Sequence, residues 1–418
     1  MQTSVLVIGG GAAGMMAALF AAREGAGVTL LERNEKTGKK IYITGKGRCN
    51  LTNACDRESF MRRVLRNPRF LYASLATLDN LGTMALMEQL GLPLKVERGE
   101  RVFPVSDKAS DVTAALMREL SRLGVRVRLN ARARGAWVED GQTRGVELES
   151  GERVPADAVI VATGGLSYPS TGSTGDGYRI AEATGHALVR PLPSLVPIET
   201  AEHWPAALAG LSLKNVRLSA YVAQGAKRKR IYAEQGEMLF THFGVSGPLA
   251  LTLSALMPEE LSGVRMEIDL KPALDEKTLD ARLVRDLREL SRKQLGTVMD
   301  GLVPHNLGLA LLDLLELSPA LPANAVTQAQ RRALGALLKA VPLTPTALRG
   351  FNEAVVTRGG VSVKDVDPST MQSKRVKGLY FAGEVLDLDA TTGGFNLQIA
   401  FSTGALAGRS AARKESLS

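Results

Sequence analysis

Three glycines spaced as G-x-G-x-x-G lie close to the start of the chain, at Gly9, Gly11 and Gly14. The apolar run 5–8 precedes them, and a stretch rich in alanine and methionine follows them. This order predicts a strand, a tight turn and a helix, whose free N–H groups and dipole can bind a pyrophosphate. Glu32 follows the next apolar run about twenty residues on, where a carboxylate can accept hydrogen bonds from ribose hydroxyls. The pattern therefore predicts a dinucleotide-binding unit.

The glycine motif does not distinguish FAD from NAD, because both cofactors contain ADP. A second pattern, near the C-terminus, favours FAD. Residues 376–408 predict a strand that ends at Gly383 and Glu384, then a glycine pair and an apolar helix from about Phe395. This arrangement resembles the second FAD motif of glutathione-reductase-type flavoproteins, in which the acid meets the ribityl chain and the helix N-terminus faces the flavin pyrimidine. A helix N-terminus would stabilise the negative charge that a reduced flavin gathers. A third stretch, 156–172, ends a predicted strand at Ala162 and Thr163, similar to the motif by which such proteins return to the FAD domain.

The stretch 39–55 combines glycines, basic residues and both cysteines of the chain. It is not a P-loop, because Lys46 is followed by Gly47 rather than by Ser or Thr. Cys49 and Cys55 are separated by five residues, whereas the redox pair of disulfide reductases has four, and a flavin-linked disulfide is the less favoured alternative. The favoured interpretation is a cofactor loop whose glycines let the backbone approach FAD and whose Arg48 offsets phosphate charge or reaches the flavin.

Five further stretches resemble one bacterial family of three-domain flavoproteins, which includes aminoacetone oxidase and the NAD(P)H- and FAD-dependent reductases of 3-dehydro-Δ4,6 bile acids. They are 44–53, 99–112, 236–248, 351–374 and 393–404. The resemblance implies an α/β fold with a glutathione-reductase-like Rossmann FAD-binding domain (1–190 plus 356–418), an inserted β-barrel domain (191–274 plus 341–355) and a small inserted helical domain (275–340).

Together, the motifs and the resemblance predict one set of cofactor-binding residues. They are Gly9, Gly11, Ala12, Ala13, Gly14, Glu32, Arg33, Thr44, Gly45, Gly47, Arg48, Cys49, Asn50, Thr52, Ala162, Thr163, Gly164, Gly383, Glu384, Gly394, Phe395, Asn396, Leu397 and Gln398.

The middle of the chain agrees with the two inserted domains. After about residue 190 the sequence consists of short β-like runs separated by Pro and Gly, and residues 275–340 are leucine-rich with helical spacing. Leu279, Leu283, Leu287 and Leu290 fall on one helical face, and we interpret them as core residues without a ligand contact.

Two enzymatic hypotheses and one non-catalytic hypothesis follow. The favoured one is an NAD(P)H-dependent reductase that passes hydride through flavin N5 to an activated C=C or C=O of a small, fairly apolar substrate. The alternatives are an amine or aminoketone oxidase that uses O2, and a non-catalytic flavin-holding or RNA-associated protein. Tyr168 and His242 are weak candidates for a catalytic donor. The four histidines are widely scattered, so no metal site is expected.

Composition sets the remaining expectations. Two cysteines in 418 residues favour a reducing cytoplasm, and no stretch is typical of a membrane span. The net charge is +9, and its densest basic run, 227–230, is expected in a solvated hairpin loop. We expect a small-molecule substrate, with neither a nucleic-acid partner nor a membrane; the sequence leaves the oligomeric state open.

Overall fold

The computed structural model describes residues 2–225 and 227–413. The chain divides into a larger unit, formed by the residues up to Ser194 and from Phe351 onward, and a smaller unit, Leu195–Gly350. The strands are β1 (Ser4–Ile8), β2 (Gly27–Leu31), β3 (Thr52–Asn53), β4 (Leu94–Glu97), β5 (Arg101–Pro104), β6 (Arg126–Arg128), β7 (Ala133–Glu139), β8 (Gln142–Leu148), β9 (Arg153–Pro155), β10 (Ala158–Val161), β11 (Leu188–Ser194), β12 (Ile198–Thr200), β13 (Ser212–Gln224), β14 (Lys227–Thr241), β15 (Gly244–Ser246), β16 (Val264–Asp269), β17 (Val341–Leu343), β18 (Pro345–Leu348), β19 (Val356–Val361) and β20 (Leu379–Phe381). The α-helices are α1 (Ala12–Arg23), α2 (Lys39–Ile43), α3 (Arg57–Arg63), α4 (Tyr72–Thr77), α5 (Asn80–Gln89), α6 (Ala109–Arg122), α7 (Asp176–Ala183), α8 (Trp204–Ala207), α9 (Gly247–Leu256), α10 (Glu276–Glu289), α11 (Leu295–Asp300), α12 (His305–Leu314), α13 (Gln328–Lys339) and α14 (Phe395–Ala412).

Five parallel strands form the central sheet of the larger unit, in the order β20-β10-β1-β2-β6. Ile8 at the end of β1 pairs with Leu31 on β2 and with Val161 on β10, so the three strands end together at one edge. Their residues are apolar and mostly buried, as is typical of a parallel sheet covered by helices. The predicted Rossmann-type α/β fold is confirmed.

Smaller antiparallel sheets complete the larger unit. Strands β7, β8 and β9 form a meander, as predicted by the strand-like runs between 133 and 161 and the turn signals at Asp140-Gly141 and Ser150-Gly151 that separate them. Asp140 and Gly141 make the first turn with positive φ angles of 50° and 71°. The other two sheets have the orders β3-β5-β4 and β11-β19.

The smaller unit contains a seven-stranded sheet in the order β17-β16-β13-β14-β15-β12-β18. Its longest hairpin joins β13 and β14, which have 13 and 15 residues. Leu279, Leu283 and Leu287 of α10 are buried, as predicted for core residues, and lie in one hydrophobic cluster with Ile268 and Leu343 of the sheet. Leu290, the residue that follows α10, is half-buried and packs against this cluster.

The three-domain division stays a prediction, as do the barrel and the separate helical domain with their boundaries. Residues 1 and 414–418 of the predicted FAD-binding domain, and residue 226 of the predicted barrel, lie outside the described residues.

The prediction for the basic run 227–230 is wrong in one respect. These four residues are exposed, but they occupy the first four positions of β14 rather than a loop. Cross-strand hydrogen bonds from Gln224 to Lys227 onward extend the ladder to the hairpin tip. The run therefore presents its charges from a regular strand.

Two kinds of feature are absent from the described ranges. No helix there is both long and apolar enough to cross a lipid bilayer. No group of three or more His, Cys, Asp or Glu side chains there is arranged to hold a metal ion.

Candidate functional site

The turn after β1 carries the first glycine motif. Gly9 has a φ of 103°, and its N–H donates to the Leu31 carbonyl at 2.8 Å. Helix α1 follows from Ala12, with Gly11 as N-cap residue and no side chain capping its N-terminus. A Cβ at Gly14 would lie 1.8 Å from the Gly9 carbonyl oxygen, so only glycine lets turn and helix approach this closely. The uncapped N–H groups and the helix dipole can therefore bind an anion.

Glu32 lies directly after β2 and is buried. Its Oε2 accepts a hydrogen bond from the Gly10 N–H at 2.7 Å. Its Oε1 accepts from the backbone N–H and the Nδ2 of Asn34, at 2.8 and 2.7 Å. A carboxylate offers about four lone-pair sites, so it can still accept a further hydrogen bond. Glu32 is thus fixed beside the glycine turn, where the sequence predicts the ribose of a dinucleotide.

Arg33 lies in an ion-pair cluster around Asp176. Its Nη1 contacts Thr174 Oγ1 and lies 3.3 Å from Asp176 Oδ2. Asp176 also pairs with Arg132 at 2.9 Å and with Arg179 at 2.6 Å. Burial alone would raise the pKa of Asp176, but the hydrogen bonds and charges of Arg132 and Arg179 outweigh burial and lower the pKa to about 2. The cofactor role of Arg33 stays a prediction.

The predicted cofactor loop has an unusual backbone. Gly45, Lys46, Gly47 and Cys49 have positive φ angles of 57°, 59°, 84° and 60°. A left-handed conformation costs a non-glycine residue roughly 1–2 kcal/mol, so the surrounding contacts must hold Lys46 and Cys49 in place. Thr44 helps, because its carbonyl accepts a hydrogen bond from the Cys49 N–H at 3.0 Å.

Arg48 is paired with acidic residues of the same unit. Its Nε donates to Asp107 Oδ1 at 2.7 Å, its Nη2 contacts Glu97 Oε1, and its guanidinium lies 4.2 Å from the centre of the Phe103 ring. Its charge is therefore balanced by two carboxylates. The hypothesis that it offsets phosphate charge stays a prediction.

Both cysteines are free and buried. Burial raises the pKa of the Cys49 thiol to about 12, although a hydrogen bond with Thr44 lowers it slightly. Burial also raises the pKa of Cys55, and the charges of Glu100 and Asp56 raise it further. Protonated, separate thiols fit the structural role that the sequence favours for Cys49 better than they fit the redox alternative.

The loop 44–53 packs against the start of α14. Thr52 Oγ1 donates to Gln398 Oε1 at 2.7 Å, and Asn53 Nδ2 donates to the Gly393 carbonyl at 3.1 Å. Gly394 approaches so closely that a Cβ there would lie 2.3 Å from the Thr52 carbonyl oxygen. The loop 44–53 and the start of α14, which are more than 300 positions apart in the sequence, therefore form one local structure.

The helix start predicted near Phe395 is confirmed, and Gly394 is its N-cap residue. Asn396 closes the preceding loop, because its Oδ1 accepts from the Ala390 N–H at 2.9 Å and its Nδ2 donates to the Ala390 carbonyl at 2.8 Å. Gln398 is fully buried, and its Nε2 donates to Thr83 Oγ1 at 2.8 Å. The side-chain amides of Asn396 and Gln398 therefore hydrogen-bond within the protein and hold the start of α14. No side chain caps the N-terminus of this helix.

The third motif lies at the same edge of the sheet. A Cβ at Gly9 would lie 2.6 Å from the Ala162 carbonyl oxygen, and a Cβ at Gly383 would lie 2.6 Å from the Ala13 Cβ. Thr163 follows Ala162, and its buried Oγ1 has no hydrogen-bond partner among the described residues. The turns after β1, β10 and β20 therefore meet, as the three motifs predict.

Glu384 is held by residues that the sequence analysis missed. Lys40 Nζ donates to its Oε2 at 2.6 Å, while Ser167 Oγ and the Thr357 N–H donate to its Oε1 at 2.6 and 2.8 Å. Lys40 also donates to Ser167 Oγ at 2.5 Å. The sequence signals were indirect: Lys40 lies in the basic stretch 39–55, Ser167 in the stretch 156–172 and Thr357 in the stretch 351–374, but none of these patterns pairs them with Glu384.

The two weak catalytic candidates belong to different units. Tyr168 in the larger unit has a φ of 50°, and its backbone N–H donates to the Phe351 carbonyl at 3.0 Å. His242 in the smaller unit is exposed, and its ring lies 4.8 Å from the Phe243 ring in an edge-on arrangement. Catalytic roles for both stay predictions.

The residues at the carboxyl edge fit a dinucleotide cofactor. Gly9, Gly14 and Gly383 let the three turns and α1 pack so closely that a Cβ at any of them would clash with the protein itself, whereas a Cβ at Gly11 would meet nothing within 4 Å. Two helices begin there without side-chain caps. Glu32 supplies a buried acceptor about twenty residues beyond the glycine turn, the distance that a ribose contact requires. Cofactor binding by each of the predicted residues stays a prediction.

Comparison with known proteins finds one matching family model and several similar chains. The family model described as the HI0933-like protein Rossmann domain matches residues 3–410. A 3-dehydro-bile acid delta(4,6)-reductase of Clostridium scindens is 35% identical over 415 residues, which cover 98% of each chain. A ribosomal RNA dihydrouridine synthase of Haemophilus influenzae is 31% identical and covers 95% of this chain and 96% of its own length. The corresponding Escherichia coli protein is 29% identical and covers 95% of each chain.

Among solved structures, a 3-ketosteroid-delta4-(5alpha)-dehydrogenase from Rhodococcus jostii has a TM-score of 0.53 at 17% identity, covering 99% of this chain and 97% of its own. At this identity the likeness shows a shared fold.

Proposed function

The chain belongs to the HI0933-like Rossmann-domain family, and from this premise we propose that it is an FAD-dependent reductase. Its reaction adds a hydride to a carbon–carbon double bond that is conjugated to a carbonyl group. The observation that carries the proposal is the meeting of the turns at Gly9, Ala162 and Gly383 at one sheet edge, beside the buried acceptor Glu32.

The names of the relatives support the reaction. A 3-dehydro-bile acid has a ketone at C3, and delta(4,6) double bonds are conjugated to it. Dihydrouridine is uridine whose C5=C6 double bond, conjugated to the C4 carbonyl, has been saturated. Two relatives with dissimilar substrates thus share one transformation, the reduction of an electron-poor alkene, and we extend that transformation to this chain.

The chain's own residues provide the setting for this chemistry. When bound, FAD would supply the hydride from N5 of the reduced flavin. The N-terminus of α1 would hold the pyrophosphate, and Glu32 would accept hydrogen bonds from the adenosine ribose. Glu384, which Lys40 orients, would accept hydrogen bonds from the ribityl chain. The N-terminus of α14 would stabilise negative charge on the flavin pyrimidine.

NAD(P)H is the proposed source of reducing equivalents, as a transient co-substrate. Tyr168 and His242 are the proposed donors that polarise the substrate carbonyl or protonate the α-carbon. The favoured substrate is small and fairly apolar. A second candidate is a uridine in RNA, which the two ribosomal RNA dihydrouridine synthases favour.

Anaerobic mixing tests the proposal. NADH or NADPH should bleach the visible absorbance of the bound flavin, and a 3-oxo-4,6-diene steroid or a uridine-containing RNA should restore it with formation of the saturated product. Air alone should restore it more slowly than the accepted alkene does. Flavin that neither nicotinamide reduces, but that an amine or aminoketone reduces and O2 rapidly re-oxidises, would overturn the proposal in favour of an oxidase.

A further inference from the structure

One face of the β13, β14 and β16 strands carries a dense set of positive charges. Tyr221 on β13 pairs with Arg230 on β14 and with Arg265 on β16. Directly paired residues project their side chains to the same face of a sheet, so Tyr221 lies between two arginines. Arg228 pairs with Ala223, two positions beyond Tyr221 on β13, and therefore lies on the same face.

This face points away from the core. Leu218 and Ala220, which alternate with its residues along β13, are buried, whereas Arg228, Arg230 and Arg265 are exposed. Arg217 is also exposed and lies four positions before Tyr221, so it extends the same face. We refer to Arg217, Tyr221, Arg228, Arg230 and Arg265 as the basic ribbon.

The charges of the basic ribbon are largely uncompensated. No carboxylate among the described residues lies within ion-pair distance of Arg217, Arg228, Arg230 or Arg265. Two acids of β16 lie on this face. Glu267 is half-buried, and Asp269, which pairs with Arg217 in the strand register, is buried and forms an ion pair with Lys339 at 2.6 Å. Lys227 and Lys229 at the start of β14 are exposed and add to the positive potential.

The chemistry of the ribbon fits a nucleic acid better than a membrane. Guanidinium groups bind phosphate oxygens bidentately and stack on planar bases, and a tyrosine between them offers a ring on which a base can stack. A membrane-binding surface commonly adds large apolar side chains that enter the lipid. The exposed large apolar residues among those described lie elsewhere, at positions such as Leu81 and Val105.

We propose that the basic ribbon is an RNA-binding surface that contacts the phosphate backbone and stacks one base on Tyr221. This inference rests on the uridine form of the proposed function, because uracil carries the conjugated C5=C6 double bond that such a reductase would accept. The ribbon would bind the RNA through its phosphate backbone and would contribute affinity rather than recognition of the uridine.

The test measures the binding of the oxidised holoprotein to a fluorescently labelled RNA hairpin by anisotropy, over a range of salt concentrations. The ribbon variant carries Arg228→Gln, Arg230→Gln and Arg265→Gln. The control variant carries Arg126→Gln, Arg292→Gln and Arg332→Gln, which remove the same number of charges from exposed sites elsewhere. Circular dichroism melting confirms that both variants are folded.

We expect the ribbon variant to bind RNA at least about tenfold more weakly. The plot of the logarithm of the association constant against the logarithm of the salt concentration should become less steep by about 2, since each lost phosphate contact reduces its slope by roughly 0.7–0.9. The control variant should bind like the original protein. Three results would each overturn the proposal. The control variant could lose as much RNA affinity as the ribbon variant, or the original protein could bind a duplex DNA as tightly as the RNA hairpin. It could also bind phosphatidylserine vesicles more tightly than RNA. Because no turnover is measured, its failure is distinguishable from failure of the reductase reaction.

Discussion

At the scale of single residues, the site depends on carboxylates held by specific donors. Glu32 accepts from the backbone N–H groups of Gly10 and Asn34 and is buried at the glycine turn. The distance from the glycines predicts this glutamate, and its position at the turn is as expected. Its partner Asn34 is not predicted, because no motif specifies it.

Glu32→Gln should weaken FAD binding by about tenfold or more. The amide replaces one acceptor oxygen by a donor, which leaves a buried N–H unpaired and removes an acceptor for ribose, at a cost of roughly 1–3 kcal/mol. Titration of the apoprotein with FAD, followed by flavin fluorescence, measures the change. Glu35→Gln is the control, because Glu35 is exposed and pairs with Lys39 on the surface. Equal FAD affinity in both variants would contradict the assignment.

Lys40→Met should lower the free energy of unfolding by about 1–3 kcal/mol, because it leaves the largely buried Glu384 carboxylate without its cation. Adding Glu384→Gln in the same chain should restore part of this loss. The neighbouring Lys39→Met should cost less than about 1 kcal/mol, since its partner Glu35 is exposed. Urea unfolding of the original protein and these three variants measures the differences, and equal losses for Lys39 and Lys40 would refute the role of Lys40.

At the scale of elements, the order of strand, turn and helix after residue 4 follows from the sequence, because Gly9 and Gly14 of the G-x-G-x-x-G motif are required by the local geometry of the turn. The packing of α1 on α14 does not, because it joins the two ends of the chain. A Cβ at Gly408 would lie 2.1 Å from the Ala17 carbonyl oxygen of α1, so the two helices are in direct backbone contact there.

Gly408→Ala should therefore destabilise the protein by about 1–3 kcal/mol, since the added methyl group forces the helices apart. Gly335→Ala in α13 is the matched control, because a Cβ there meets Leu283 at an ordinary distance of 3.4 Å. In the control, better helix propensity should raise stability by about 0.5–1 kcal/mol. Thermal unfolding of both variants measures the contrast, and similar stabilisation of both would show that α1 and α14 tolerate separation.

At the scale of the whole molecule, acid stability depends on carboxylates buried against arginines. A hydrogen bond with Arg122 lowers the pKa of Glu119 to about 2 against the effect of burial, and Arg23 contributes a second hydrogen bond. Burial raises the pKa of Asp176, but its arginine partners lower it to about 2. Both side chains are less than a tenth exposed, so solvent screens these pairs only weakly.

The free energy of unfolding should accordingly be retained above about pH 4.5 and fall as the pH drops toward 2, because the unfolded carboxyls take up protons near pH 4, before the folded ones do. Asp176→Asn should be less stable at neutral pH and should lose less stability on acidification. Urea unfolding between pH 7 and pH 2.5 tests this. Asp140 lies in an exposed turn, so Asp140→Asn should leave the change of unfolding free energy with pH as it is in the original protein. If Asp176→Asn also left this pH dependence unchanged, the Asp176 carboxylate would not be the cause of the loss of stability in acid.

The sequence by itself determined the features whose geometry is local. The glycine turn, the acid after β2, the start of α14 and the meander turn at Asp140 each depend on a few consecutive residues, and the structure agrees with them. The strand character of residues 227–230 was missed because four consecutive charged residues carry no alternating pattern, and only cross-strand pairing with β13 fixes their conformation.

The tertiary structure alone decided which distant side chains share a site. Lys40, Ser167 and Thr357 meet at Glu384 because α2, the turn after β10 and the start of β19 all approach the turn after β20. Arg48 is paired with Glu97 and Asp107, and the basic ribbon combines arginines from β14 and β16. Such contacts depend on how strands are ordered and on the direction in which side chains project, and sequence spacing does not encode either property across a long chain separation.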